Sequence, residues 1–345
     1  MKKLSILVLA VLVSICFISC IQSNQENSNI RENIDKQDQG IYILYKDGYS
    51  RVRYLTSGLE KISDIKVKGG WDLCSNGKGK LYVSIAGNAS FGGDSVKVIE
   101  DGAITKTIDL TYDLPLDIKY NKYNEKAYVT HKYKLTFANE NCISIIDTLI
   151  DKEIDSFFYD GLIEDITFSS DDKMYIASQN IETFEGQIDV VNLNSNEIEK
   201  HIVVDVPLTS IEYSEATKML YGVSDRKESP ILYIADCKDG TVSSLTISNN
   251  NPYKLVLDNS EERPLLYISS VYTNKADEGH IITIYDLTEQ KEINKIENIN
   301  GLHDFIIDKD NIYASARFRN RIYKVNLLTN ERIEKDIPFP FSISE

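Results

Sequence analysis

Seven times along the chain a hydrophobic residue precedes a tyrosine at a nearly constant interval: Ile41-Tyr42, Leu81-Tyr82, Ala127-Tyr128, Met174-Tyr175, Leu220-Tyr221, Leu266-Tyr267 and Ile312-Tyr313. Successive tyrosines are 40, 46, 47, 46, 46 and 46 residues apart. Self-similarity at such a period means stacked copies of one supersecondary unit, none able to bury its apolar faces alone. The repeat constrains architecture more than activity, because repeat scaffolds carry many unrelated functions.

Each tyrosine lies within the same succession of short segments. Around Tyr128, LDIKY (116–120) leads through a polar turn to KAYVTH (126–131). A loop, CISIID (142–147), a second turn and EIDSFF (153–158) follow. The last unit repeats the order with DFIID, NIYASA, RIYKVN and RIEKDI. The segments are β-branched or aromatic and bounded by Asn, Asp, Gly or Ser, so each reads as a strand. No stretch has the helical periodicity that a horseshoe or helical solenoid needs. Four strands per unit, repeated around a ring, predict an all-β fold, a seven-bladed β-propeller over residues 40–345.

The register can be read independently. About ten residues before the tyrosines, the innermost strand carries an apolar residue: Leu73, Ile118, Ile166, Ile211, Leu255 and Phe305. Tyr42 has no such strand upstream. The missing one stands at the other end, where residues 339–344 (FPFSIS) match the beginning of 206–211 (VPLTSI) and Ile343 becomes the seventh apolar residue. The C-terminal strand is therefore expected to join the blade begun at residue 41, sealing the ring and removing an exposed sheet edge.

The units resemble the YVTN-repeat propellers, whose pattern runs tyrosine-valine-threonine-asparagine, a loop, then valine-serine-valine-isoleucine-aspartate-threonine. The fullest match is Tyr128-Val129-Thr130-His131 followed by Ile143-Ser144-Ile145-Ile146-Asp147-Thr148, with His131 where the pattern has asparagine. Tyr82-Val83-Ser84 with Ile99-Glu100, and Tyr175-Ile176-Ala177 with Val191-Asn192, match in part. The resemblance implies an exported or surface-exposed binding protein and transfers no catalytic set.

The N-terminus reads as an export signal. Lys2 and Lys3 precede an apolar run from Leu4 to Phe17, shorter than the about 20 apolar residues of a spanning helix. The sequence Phe17-Ile18-Ser19-Cys20 resembles the lipobox of bacterial lipoproteins, with phenylalanine where such boxes often carry leucine. That resemblance implies removal of residues 1–19, a diacylglycerol on Cys20, and a chain lipid-anchored to the bacterial cell envelope. Ordinary secretion, with Cys20 a chance cysteine, is the alternative. Residues 20–39 hold few aliphatic side chains among Asn, Gln, Ser and charges, and are expected to be a tether. As a random coil it would span roughly 20–30 Å.

Formal net charge is −15, and loss of Lys2 and Lys3 makes it −17. An acidic surface argues against nucleic acid and anionic lipid headgroups as direct partners. Cys74, Cys142 and Cys237 fall at different strand positions in different units, so they are expected to be reduced packing residues. The body is expected to be monomeric.

In a four-stranded blade, the loop between the second and third strands opens on the same side as the link into the next blade. On that side the segments Ala86–Asp94, His131–Asn141, Ser178–Gly186 and Val271–Gly279 are expected to be long loops, and Lys46–Tyr49 a short one. A crown formed by Phe91, His131, Tyr133, Phe137, Phe184, Tyr272 and Phe318 would suit a glycan, peptide or partner protein. The rings could instead fold back to cap their own loops.

The residues just before the inner apolar positions are Ser342, Asp72, Asp117, Asp165, Ser210, Lys254 and Asp304 around the ring. They are expected near the axial mouth, with Trp71 and His303 beside two of them. Grouped carboxylates raise each other's pKa or bind a cation, and hard oxygen ligands favour Ca²⁺ or Mg²⁺; Asp72, Asp117, Asp165 and Asp304 would be the ligands. Alternatively, Lys254 neutralises one and each Asp accepts backbone N–H bonds where the chain enters the strand. Gly92-Gly93-Asp94-Ser95 is no nucleophile elbow, because it leads into a strand and has no placed histidine. Asp171-Asp172 and Glu261-Glu262 fall in turns on the opposite face, and the four histidines lack metal-ligand spacing.

Three functions are compatible with these features. The first is a membrane-tethered, extracytoplasmic module that binds a ligand or partner, without catalysis or cofactor. The second is a propeller hydrolase or lactonase using a divalent cation at the axial carboxylates. The third is a structural envelope lipoprotein.

Overall fold

A computed structural model describes residues 40–88, 91–131, 141–225, 230–249, 251–260, 262–270 and 280–345. The signal and tether, Cys20 included, lie outside the described residues, as do Tyr133, Phe137, Tyr272 and the Phe91 side chain. No α-helix occurs among the described residues, and no helix there is long and apolar enough to cross a membrane.

The strands form seven four-stranded antiparallel sheets, the blades of a β-propeller. Blade 1 is made of Pro340–Ser344, Ile41–Asp47, Tyr49–Leu55 and Lys61–Lys66, in that order from the axis outward. The inner strands of blades 2 to 7 are Gly70–Ser75, Pro115–Asn121, Leu162–Ser169, Ser210–Ser214, Pro252–Asp258 and Leu302–Asp308. Each inner strand adjoins that of the following blade, and Pro340–Ser344 adjoins both Leu302–Asp308 and Gly70–Ser75. The C-terminal strand therefore seals the ring, pairing Ile343 with Ile43 and Ser344 with Tyr42.

The core is divided among seven apolar clusters, each between two consecutive blades. Ile41, Ile43, Leu55, Tyr313, Ile322 and Ile343 form the one across the seam. All seven inner apolar residues, from Leu73 to Ile343, are buried. Six repeat tyrosines are buried as well; Tyr42 is half-buried and stacks on Tyr54 at 4.7 Å.

The repeat tyrosine has a physical explanation in two of these interfaces. Tyr82 packs against Val129 and Ile146 of the next blade, and its hydroxyl donates to Asp151 Oδ1 there at 2.6 Å. Tyr313 likewise donates across the seam to the Ser57 carbonyl at 3.2 Å. An aromatic body with a polar tip fits an interface that is dry in the middle and wet at the turn.

One expected loop is instead strand. Lys80–Asn88 and Phe91–Glu100 continue pairing through most of residues 86–94. A bulge between Ile85 and Gly87 lets Gly87 oppose Gly92 and keeps the ladder going. The segment from 92 to 95 lies within the third strand of its blade, as its sequence context indicated. Cys74 and Cys237 are half-buried free thiols, and Cys142 is buried.

Candidate functional site

The inner strands bulge where the axial residues sit. Register shifts fall between Gly70 and Leu73, Pro115 and Ile118, Ile163 and Asp165, Pro252 and Leu255, and Leu302 and Asp304. A bulge leaves an N–H without a ladder partner and re-aims a side chain. The second strand supplies that partner two residues after its tyrosine. Ser84 Oγ accepts from Asp72 N at 3.0 Å, Ser269 Oγ from Lys254 N at 3.2 Å and Ser315 Oγ from Asp304 N at 3.2 Å. The hydroxyl residue of the tyrosine motif is thus part of the backbone accounting at the axis.

The re-aimed side chains tie each blade to the next. Asp72 Oδ2 accepts from Ile118 N at 3.0 Å, Asp165 Oδ2 from Ile211 N at 2.9 Å and Asp304 Oδ2 from Ile343 N at 3.0 Å. Ser210 Oγ accepts from Leu255 N at 3.1 Å. Ser342 Oγ donates to Asp72 Oδ1 at 2.6 Å, and Ser210 Oγ to Asp165 Oδ2 at 3.1 Å. The expected turn-capping acceptors are therefore found, but most of their bonds cross between blades.

Both oxygens of Asp72, Asp165 and Asp304 are occupied. Asp165 Oδ1 takes Ile166 N and Lys119 Nζ, and Asp304 Oδ1 takes Phe305 N and Lys254 Nζ. Lys254 neutralises a neighbouring aspartate, as one of the two readings anticipated. Among the described residues no three His, Cys, Asp or Glu side chains are grouped to hold a metal ion. The lone pairs of Asp72, Asp165 and Asp304 face N–H and O–H donors, which leaves these three little capacity to coordinate a Ca²⁺ or Mg²⁺ ion.

Beneath this ring lies a cavity of about 440 Å³ on the axis. It runs from Asp72, Asp304 and Ser342 toward the turns that follow the inner strands, where Asn121 and Tyr123 line it. It thus extends away from the loop-rich face. Its charged lining includes Lys119 and Glu212, which the sequence reading passed over. Their signal was available: both stand one residue after an inner apolar position, as the aspartates stand one before.

Electrostatics in this space are strongly perturbed. Burial raises the Glu212 carboxyl to about 7; Lys119 and Lys254 oppose the rise and Asp165 adds to it. Burial and then Asp117 push Asp72 upward as well, against the hydrogen bonds from Ser342 and Ile118. Burial works against charging Lys119, but Asp165 and Glu212 outweigh it and its pKa is raised.

On the loop-rich face, Phe318 is 48 % exposed, Trp71 48 % and Phe184 68 %. Arg317 lies 4.4 Å from the Phe339 ring centroid and 5.4 Å from that of Phe318, a cation–π arrangement. It also donates to His303 Nε2 at 3.3 Å. Burial lowers His303 to about 4, so at neutral pH the imidazole is uncharged and can accept that bond. His131, by contrast, is not a crown residue. It is 2 % exposed, with Nδ1 on the Asp113 carbonyl and Nε2 on Ser144 Oγ, both at 2.9 Å. Its place inside a paired strand turns it into the core.

No family model and no curated protein matches the chain. Solved structures do resemble it. A candidate 6-phosphogluconolactonase of Bacteroides uniformis is 14% identical, with TM-score 0.66 over 89% of this chain and 99% of that one. A functionally unknown protein of Desulfotomaculum acetoxidans is 10% identical, with TM-score 0.67 over 88% and 98% of the two chains. Apo AztD of Citrobacter koseri is 12% identical, with TM-score 0.56 over 89% and 97%. The chain is a seven-bladed β-propeller. At these identities the likeness extends to the fold alone.

Proposed function

We propose that the protein is an exported propeller, held to a membrane by a lipid on Cys20, whose loop-rich face binds a protein, peptide or glycan partner. The observation that carries this reading is the exposed Phe318 ring beside Arg317 and Phe339, on the face that also presents Trp71 and Phe184. Aromatic and arginine side chains on rigid scaffolds are the usual anchors of binding surfaces. Occupation of the axial aspartates by inter-blade bonds supports binding over catalysis at that level.

The test is photo-crosslinking in the native cell from position 318 or 184, with position 328, an exposed leucine in a turn on the opposite face, as control. A discrete adduct from 318 or 184 that is missing from 328 is expected. Identical patterns from all three would refute the face assignment. Cys20→Ser should move the protein from the membrane fraction to the soluble one, and unchanged retention would refute the anchor.

Lactone hydrolysis is the second reading. It is favoured by Glu212, a carboxylate held at about 7 in the axial cavity and so suited to general-base work near neutrality. The fold likeness to a candidate 6-phosphogluconolactonase is compatible with it. Absence of turnover with 6-phosphogluconolactone would remove it.

A further inference from the structure

Arg317 differs from other arginines of the propeller in what answers its charge. Arg53, Arg263 and Arg321 are each paired with aspartate or glutamate, and Arg332 donates to the carbonyls of Glu297 and Asn298. Arg317 has no carboxylate partner among the described residues. Its one hydrogen bond there is to His303 Nε2, and that imidazole is neutral. Burial works against the charge of the guanidinium, and no carboxylate among the described residues offsets it. Charges withdrawn from water are as a rule paired. In a chain of formal charge −15, a cation left without an anion calls for an explanation.

The guanidinium is also held in place. Arg317–Arg319 form a 3₁₀ turn between the strands Asn311–Ala316 and Arg321–Asn326. Asn320 closes that turn in the left-handed region, at φ 53°. Its carbonyl accepts from Ile337 N and its Oδ1 from Phe339 N, both at 2.8 Å. These bonds hold Phe339 against the turn, where its ring meets Phe318 edge-on at 5.7 Å and lies under Arg317. The two rings and His303 fix the plane of the fork. Nε is buried and takes no part in outside contacts, whereas Nη2 is neither buried nor hydrogen-bonded among the described residues. A fork ordered in advance with one free end suits a carboxylate, because little side-chain freedom remains to be lost on binding.

We propose that Arg317 receives an acidic side chain from a partner protein, with an apolar neighbour of that residue resting on Phe318. The inference rests on the loop-rich face being the binding surface and adds the chemistry of what that face takes. A carboxylate brings the missing counter-charge through charge-assisted hydrogen bonds. A small free acid would gain little burial, because the ring beside the guanidinium is exposed rather than sunk in a pocket. A phosphoryl group, with about twice the charge, would meet more repulsion from the acidic body. A basic segment would be drawn to that body in general and repelled at this point.

Short random peptides displayed on phage and selected on the full chain test the assignment. Enriched sequences should carry Asp or Glu beside an aromatic or aliphatic residue. In calorimetry, Asp→Asn in a selected peptide should weaken binding at least about tenfold, or about 1.4 kcal/mol. Arg317→Gln should show a similar loss toward the acidic peptide and no preference between the two peptides, since the pair is already broken. Arg317→Lys, which keeps the charge without the fork, should recover part of the preference. The peptide comparison needs no variant, so a misfolded one cannot obscure the result. The proposal would be overturned by enrichment without acidic preference, by no enrichment, or by equal binding of the Asn peptide. Undiminished preference in Arg317→Gln, or tighter binding of a phosphoserine peptide, would overturn it too. A discrete crosslink from position 184 together with no acidic preference would remove the role of Arg317 and leave the binding face standing.

Discussion

Replacing Asp165 with alanine separates a structural tie from a ligand-binding carboxylate. Asp165 Oδ1 accepts from Lys119 at 2.7 Å and Ile166 N at 2.8 Å, and Oδ2 from Ile211 N at 2.9 Å and Ser210 Oγ at 3.1 Å. Removing one member of a buried pair costs about 3–5 kcal/mol, because the other charge is left uncompensated. The Lys119 side chain is 35% exposed to the cavity, and solvent screening there draws the charge contribution toward the lower limit. The orphaned Ile211 N–H adds a further cost of about 1–3 kcal/mol, reduced where cavity water reaches it. Asp165→Ala should therefore lose about 3–4 kcal/mol in urea denaturation followed by circular dichroism. Asp165→Asn keeps the shape and one acceptor oxygen and should lose about 1–2 kcal/mol. A cycle with Lys119→Met should return a coupling energy of about 1–3 kcal/mol. If Asp165→Ala unfolds within about 0.5 kcal/mol of the parent protein, the range of a featureless surface site, the inter-blade tie is not what this residue contributes.

The same geometry has other consequences. Glu212 has its folded value raised from 4.5 to about 7, so folding takes up protons and its favourable contribution is complete below about pH 4.5 and lost as pH rises through about 7. Glu212→Gln should accordingly gain stability over the parent between about pH 5 and pH 8, by at most about 3 kcal/mol; a melting-temperature gap that stays flat across this range would contradict the origin given for the shift. Deleting residues 339–345 removes the buried Ile343, worth roughly 1.5–3 kcal/mol, and uncovers the edge of Ile41–Asp47. Size-exclusion chromatography should then show aggregation, and a soluble monomer with unchanged melting would refute closure by this strand. A Cβ on Gly186 would lie 1.9 Å from the Val206 carbonyl oxygen, so Gly186→Ala should cost roughly 1–3 kcal/mol or more. Gly58→Ala, which meets only Thr56 Oγ1 at 3.6 Å, is the control and should leave the urea midpoint in place.

The tyrosine spacing determined the fold because a repeat of one unit has only a few ways to bury its faces. Blade count, strand order and the closing role of Ile343 are all consequences of matching one unit against the next. The seven inner apolar residues were legible for the same reason: each is the same position in the same local pattern. So were the axial aspartates as a set. Their role was not legible, because Asp165 and Ile211 are 46 residues apart and meet only when neighbouring blades are brought side by side.

What the tertiary structure decided is where side chains point and which charges are already answered. A one-residue bulge turns Asp72, Asp165 and Asp304 toward the next blade, and no composition or spacing reveals that rotation. His131 replaces the asparagine at the fourth position of the tyrosine motif and was expected in the crown, yet strand pairing through that residue buries it. Lys119 and Glu212 looked like ordinary charged strand residues until the ring closed around them. Sequence determines the local unit because its hydrogen bonds and apolar faces are local. The charge chemistry of the axis is not local, because residues from separate blades share one space there and their charges set one another's state.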